Sequence, residues 1–231
     1  MTDNPNPQPP EPSPKKPRAA QDQADANLVN TYRTRLIAIA ASPDALAALT
    51  VRGYDKAGVE EGLDACDLAQ EKFNARQLAM DEKDTASKAA KKADKAARNG
   101  YADFVSIASK VFKENPTAKA AVVIPSRQIQ DQEKFLTLVE AAYNAVSTRT
   151  TYQAALNKRG FTAEAIQAEQ DKLKAVTATS AAFEAAKQAA TRATAERVAA
   201  MKALNRWWEE FNATAKVVLK DRPDLLALLN A

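Results

Sequence analysis

The chain predicts an all-α fold in which one helical hairpin is present twice, and three observations predict it. Glycine is scarce, with five residues, and from residue 27 onward only Pro43, Pro116, Pro125 and Pro223 interrupt the chain. Apolar residues recur every three or four positions, the spacing that lays one stripe along a helix. Sliding the chain on itself by 107 residues, without a gap, keeps that stripe in phase. Arg52-Gly53-Tyr54 then falls on Arg159-Gly160-Phe161, Tyr101 on Trp208, Phe104 on Phe211, Ala108 on Ala215 and Pro116 on Pro223.

Residues 1–25 stand apart. They carry seven of the eleven prolines and almost no large apolar side chain. Such a stretch buries too little apolar surface to offset its ordering entropy, so it is expected as a disordered, Pro-rich tail. Pro14-Lys15-Lys16-Pro17-Arg18 has the outline of a basic PxxP ligand. With no apolar leader run of the secretory kind in this segment, the expected location is cytoplasmic.

The repeat units are expected at 27–123 and 134–231, packed together as one domain. Each opens with a shorter helix, whose stripe in the first copy is Val29, Tyr32, Leu36 and Ile39. Ser42-Pro43 re-caps or kinks that helix, because proline is tolerated only in a first turn. Gly53 and Gly160 suit the left-handed residue that ends a helix. Asp55 is a good N-cap for the next helix, with Tyr54 packing on Val59 as a hydrophobic staple; Thr162, Phe161 and Ile166 repeat the arrangement.

From Thr162 to Lys220 there is neither glycine nor proline, and Ala, Lys, Glu and Gln dominate. A single helix of that length spans roughly 85–90 Å at 1.5 Å per residue. In the first copy only Asn99-Gly100 weakens it. The rear of each long helix carries a bulky seam: Leu204, Trp208, Phe211, Ala215 and Val218, matched by Ala97, Tyr101, Phe104, Ala108 and Val111. The middle, as in Ala182, Ala186, Ala190 and Ala193, is nearly all alanine and buries little area per residue. A lone hairpin would leave half its long helix unpaired. An elongated bundle is therefore expected, with the long helices antiparallel about a pseudo-twofold axis; dimerisation through the same stripe is the competing arrangement.

Composition excludes several chemistries. With 231 residues, no His and one Cys, the chain has no Ser-His-Asp or Cys-His triad and no His-ligated zinc or haem. Cys66 alone forms neither an internal disulfide nor a four-cysteine site, and its counterpart Leu173 marks it as a buried, inert thiol. The balance of 33 basic against 29 acidic residues is a small excess, not a strongly basic protein.

Four features are candidate sites. Trp207 and Trp208 lie about 100° apart on the helix, so one stripe does not bury both equally. Trp208 belongs to the seam, and Trp207 either covers a neighbouring helix or marks a partner patch; Phe211, Tyr101 and Phe104 complete the candidate interface set. Lys88, Lys91, Lys92, Lys95 and Arg98 form one basic face able to meet phosphates or an anionic membrane, although Asp81, Glu82, Asp84 and Asp94 lie beside it and no aromatic is interleaved. Glu60, Asp64, Asp67 and Glu71 make an acidic stripe, a weak candidate for a divalent cation because closed sites draw oxygens from several elements. No nucleophile or phosphate-binding glycine loop accompanies them.

The layout of Arg-Gly-[Tyr/Phe] with a cap, a long Ala-rich helix, then [Trp/Tyr]-x-x-Phe and a terminal x-Pro resembles a group of uncharacterised bacterial duplicated helical-hairpin proteins. The resemblance covers 27–231 and implies a fold, with no reaction, ligand or cofactor. The expected role is a non-enzymatic structural or interaction protein that binds protein partners or itself. An anion-binding module acting through 88–98 on nucleic acid or membrane is the alternative, and a carboxylate cation site the third reading.

Overall fold

A computed structural model describes residues 18–122 and 130–229 of the chain, and among these no strand occurs. Helix α1 spans Arg18–Ala40, α2 Pro43–Thr50, α3 Lys56–Val111, α4 Pro116–Val122, α5 Gln132–Thr148, α6 Thr150–Asn157, α7 Ala163–Val218 and α8 Pro223–Leu226, which runs into a 3₁₀ turn at Ala227–Leu229. The fold is all-α, and the two long helices, α3 and α7, pack together.

The helix ends follow the sequence closely. The Ser42 hydroxyl accepts from the Ala45 amide at 3.3 Å with Pro43 in the first turn of α2. Asp55 accepts from the Gly58 amide at 3.0 Å, and Thr162 from Ala165 at 3.2 Å. Gly53 and Gly160 sit at φ +86° and +89°, the left-handed region that costs a residue with a side chain about 1–2 kcal/mol. α3 and α7 are each unbroken over 56 residues, so Asn99-Gly100 is absorbed within α3.

Two expectations need correction. α1 begins at Arg18, so residues 18–25 are its first turns rather than the end of a tail. Pro17 is the last proline of that run, and Ala19-Ala20-Gln21 then favour helix; residues 1–17, with most of the PxxP outline, lie outside the described residues. The bulky seam also ends one residue later than its heptad reading. Leu219 and Phe112 are buried, whereas Val218 and Val111 are only half-buried. A straight helix at 3.6 residues per turn drifts off a 3.5 repeat, so the stripe steps 211-215-219 and 104-108-112.

The chain divides into two compact units. Unit 1 takes the described residues up to Arg76 together with those from Ala193, and unit 2 is Gln77–Arg192. Each therefore joins the short helices and front of a long helix from one sequence copy to the rear of the long helix from the other. The core of unit 1 includes Leu36, Ile39, Leu49, Val59, Cys66, Leu204, Trp208, Phe211, Ala215, Leu219 and Leu229. That of unit 2 includes Tyr143, Val146, Leu156, Ile166, Leu173, Ala97, Tyr101, Phe104, Ala108, Phe112 and Val122. Taken in order these are residues 107 apart, so burial repeats with the sequence.

Candidate functional site

In unit 1 the aromatic seam closes on glycine. Trp207 lies over Gly62 of α3, so close that a methyl group there would stand 2.2 Å from Cη2 of the indole. Its ring stacks on Phe211 at 5.1 Å and meets the edge of Tyr54 at 6.1 Å. Tyr54 in turn meets Phe211 edge-on at 5.1 Å, while Trp208 stacks on Tyr32 at 4.2 Å. Of the five candidate interface residues, Trp208, Phe211, Tyr101 and Phe104 are buried core and present no docking surface. Trp207, half-buried, covers a neighbouring helix.

Unit 2 builds the corresponding layer differently. Gly100 of α3 receives the Glu169 carboxylate, with Oε2 only 1.9 Å from where a methyl group would lie. Glu169 Oε1 accepts from Lys172 Nζ at 2.7 Å, whereas Oε2 is buried with no hydrogen-bond partner. The Tyr143 hydroxyl is likewise buried and unpartnered. Burial first, and then the nearby Glu169 charge, holds that phenol far above its ordinary pKa. Sequence reading missed this polar group, although the signal was present: under the 107-residue shift Gly62 falls on Glu169 and Gly100 on Trp207, so each contact pairs one glycine with one large side chain.

The basic face is divided by the fold. Lys88, Lys91, Lys92 and Lys95 are exposed on α3. Arg98 is withdrawn from them: its guanidinium bonds Asp94 at 2.9 Å and lies 4.4 Å over the Phe135 ring. Asp81 and Asp84 are exposed on the same helix, Asp81 accepting from Gln77 at 3.1 Å. Nearby, an open groove of about 780 Å³ is lined by Ala90, Lys91, Leu136, Phe183, Glu133 and Glu184. Its middle is thinly covered, for no residue of α3 from 80 to 96 or of α7 from 177 to 189 is buried.

The acidic stripe makes no cation cage. Glu60, Asp64, Asp67 and Glu71 are all exposed; Glu60 lies 3.8 Å from Lys56, Asp67 pairs with Arg33, and Glu71 lies 3.1 Å from Lys72. Among the described residues no group of three potential metal ligands converges. Cys66 is fully buried, and burial pushes its thiol up to about 11, against a lesser downward pull from Arg33. Among the described residues no helix is long and apolar enough to cross a membrane.

Comparison with known protein families, with characterised proteins and with solved structures finds no match for the chain.

Proposed function

We propose that the protein is a non-enzymatic helical scaffold that works by binding a protein partner or a further copy of itself. One observation carries the reading. α3 and α7 stay unbroken through a middle stretch, 80–96 and 177–189, in which no side chain is buried. Packing of an amphipathic face, more than propensity, supplies most helix stability in proteins. A long helix whose middle is at most half-covered, on one face only, presents its other face for something else to occupy. The composition supports the same reading, since the histidine-based catalytic and metal constellations are excluded. A cytoplasmic location belongs to this proposal.

The test is a photo-crosslinking residue placed at Thr85, Lys91 or Gln188 in the full chain, with Arg52 as the control, expressed in the native host. Crosslinked species from the middle stretch and none from Arg52 are expected. No crosslinked species from any of the three positions overturns the reading.

A further inference from the structure

We infer that the exposed face of α3 between residues 78 and 95 is a self-recognition surface on which a second copy of this chain docks antiparallel. The inference rests on the scaffold reading and names its partner. Leu78, Asp81, Thr85, Lys88, Lys92 and Lys95 follow one another at spacings of three and four, so they share one helix face. Every one of them is exposed, Leu78 to 61%. The spacing is heptad-like, but the face is polar and charged apart from Leu78, so charge rather than apolar area is what it offers a partner. That charge changes sign halfway, with Asp81 and, on its flank, Asp84 followed by Lys88, Lys91, Lys92 and Lys95, while Glu82 lies on the other flank.

Such a face complements itself. Laid antiparallel on a twofold axis between Thr85 and Lys88, it brings Asp81 opposite Lys92 of the second copy, and Asp84 beside Lys91 of that copy on the same flank, each pair occurring twice. Leu78 falls opposite Lys95, whose aliphatic stem can cover it. An isologous interface requires this property, because the same patch must serve both sides. The distribution also favours a second copy over a phosphate polymer. A nucleic acid would meet three exposed acids beside the lysines, Arg98 is engaged with Asp94 and Phe135, and no aromatic is interleaved for stacking. The pairs are solvent-exposed and worth little singly, so the association is concentration-dependent and weakened by salt.

Sedimentation equilibrium of the full chain tests this with a charge swap. At low salt the apparent mass should rise with concentration toward twice 25.0 kDa, and fall back in high salt. Lys91→Glu/Lys92→Glu and Asp81→Lys/Asp84→Lys should each weaken self-association by about tenfold or more, since like charges then face each other. Mixing the two variants restores every opposite pairing, so the mixture should associate as the unaltered chain does. Unchanged helical circular dichroism keeps misfolding from imitating the loss. A monomer at all concentrations, single variants that still associate, or a mixture that does not, overturns the inference. Salt-dependent DNA binding by a strictly monomeric chain, lost in Lys91→Glu/Lys92→Glu, does so in favour of an anion-binding face. Photo-crosslinks to a different protein overturn self-recognition while leaving the scaffold reading intact; no crosslinks at all remove both.

Discussion

At positions 107 residues apart the two compact units fill the gap beside a glycine with opposite chemistry. In unit 1 a rigid indole covers Gly62; in unit 2 a flexible carboxylate, tethered to Lys172, enters the gap at Gly100. Around the indole the neighbours are rings, Tyr54 and Phe211. Beside the carboxylate lies a buried phenol, Tyr143, where unit 1 has Leu36. Both solutions satisfy the requirement that a void beside a glycine be filled, but only the indole does so with apolar area. Across the 107-residue shift the buried seam keeps step while the filler of the gap differs.

The largest expected effect sharpens this contrast at the glycines. Gly62→Ala forces a methyl group into a flat ring held between two others, so it should destabilise by about 2 kcal/mol despite alanine's better helix propensity. Gly100→Ala meets only the far end of a flexible side chain and should change stability by less than about 1 kcal/mol. Trp207→Ala should cost about 3 kcal/mol. Urea denaturation of the three variants checks the ranking, and equal costs at the two glycines would break the comparison.

Next comes pH, through Cys66 in unit 1 and its counterpart Leu173 in unit 2. Burial favours the neutral thiol, so its folded pKa, about 11, lies above the ordinary value of 9.0. The stability from this group is fully present below pH 9 and is lost as pH rises toward 11, to a total of about 3 kcal/mol. Denaturation midpoints at pH 8 and pH 10.5 should fall more steeply for the unaltered chain than for Cys66→Ala. Parallel slopes would refute it.

The duplicated caps give a smaller difference. Asp55→Ala and Thr162→Ala should each cost about 1 kcal/mol, with Asp55 the more costly because its charge also meets the positive end of α3. Thermal unfolding monitored by circular dichroism reports both. The smallest effect has the opposite sign. Tyr143→Phe removes an unpartnered buried hydroxyl and should leave stability unchanged or raise it by about 0.5 kcal/mol; a loss beyond about 1 kcal/mol would show that the hydroxyl is bonded in solution.

Much of the fold was legible in the sequence, because the features concerned are local. Gly53, Gly160, Asp55 and Thr162 act within a turn, and the apolar stripe of a helix is written in its own period. The start of α1 was harder to read, since the prolines before Arg18 dominate the composition of the whole segment. What escaped depends on the crossing of the two copies. That Arg98 lies over Phe135, or that Glu169 enters at Gly100, follows from which rear half meets which front half, and no window of the chain contains both partners. The exposed half of the candidate site was the most readable: Lys88, Lys91, Lys92 and Lys95 sit where their spacing put them.

The division of the chain also sets an order of events during synthesis. Unit 2 is a continuous segment, complete once Arg192 has left the ribosome, whereas unit 1 needs the segments on either side of it. Val29, Leu36, Ile39 and Leu49 emerge early, yet their partners Leu204, Trp208 and Phe211 are translated only after all of unit 2. At about 5–20 residues per second the intervening stretch takes roughly 6–25 s, and for that time a greasy hairpin waits without its lining. Nascent chains are thus most in need of chaperone shelter at that first hairpin, and a transcript cut short after unit 2 would release a product with one finished core and one open one.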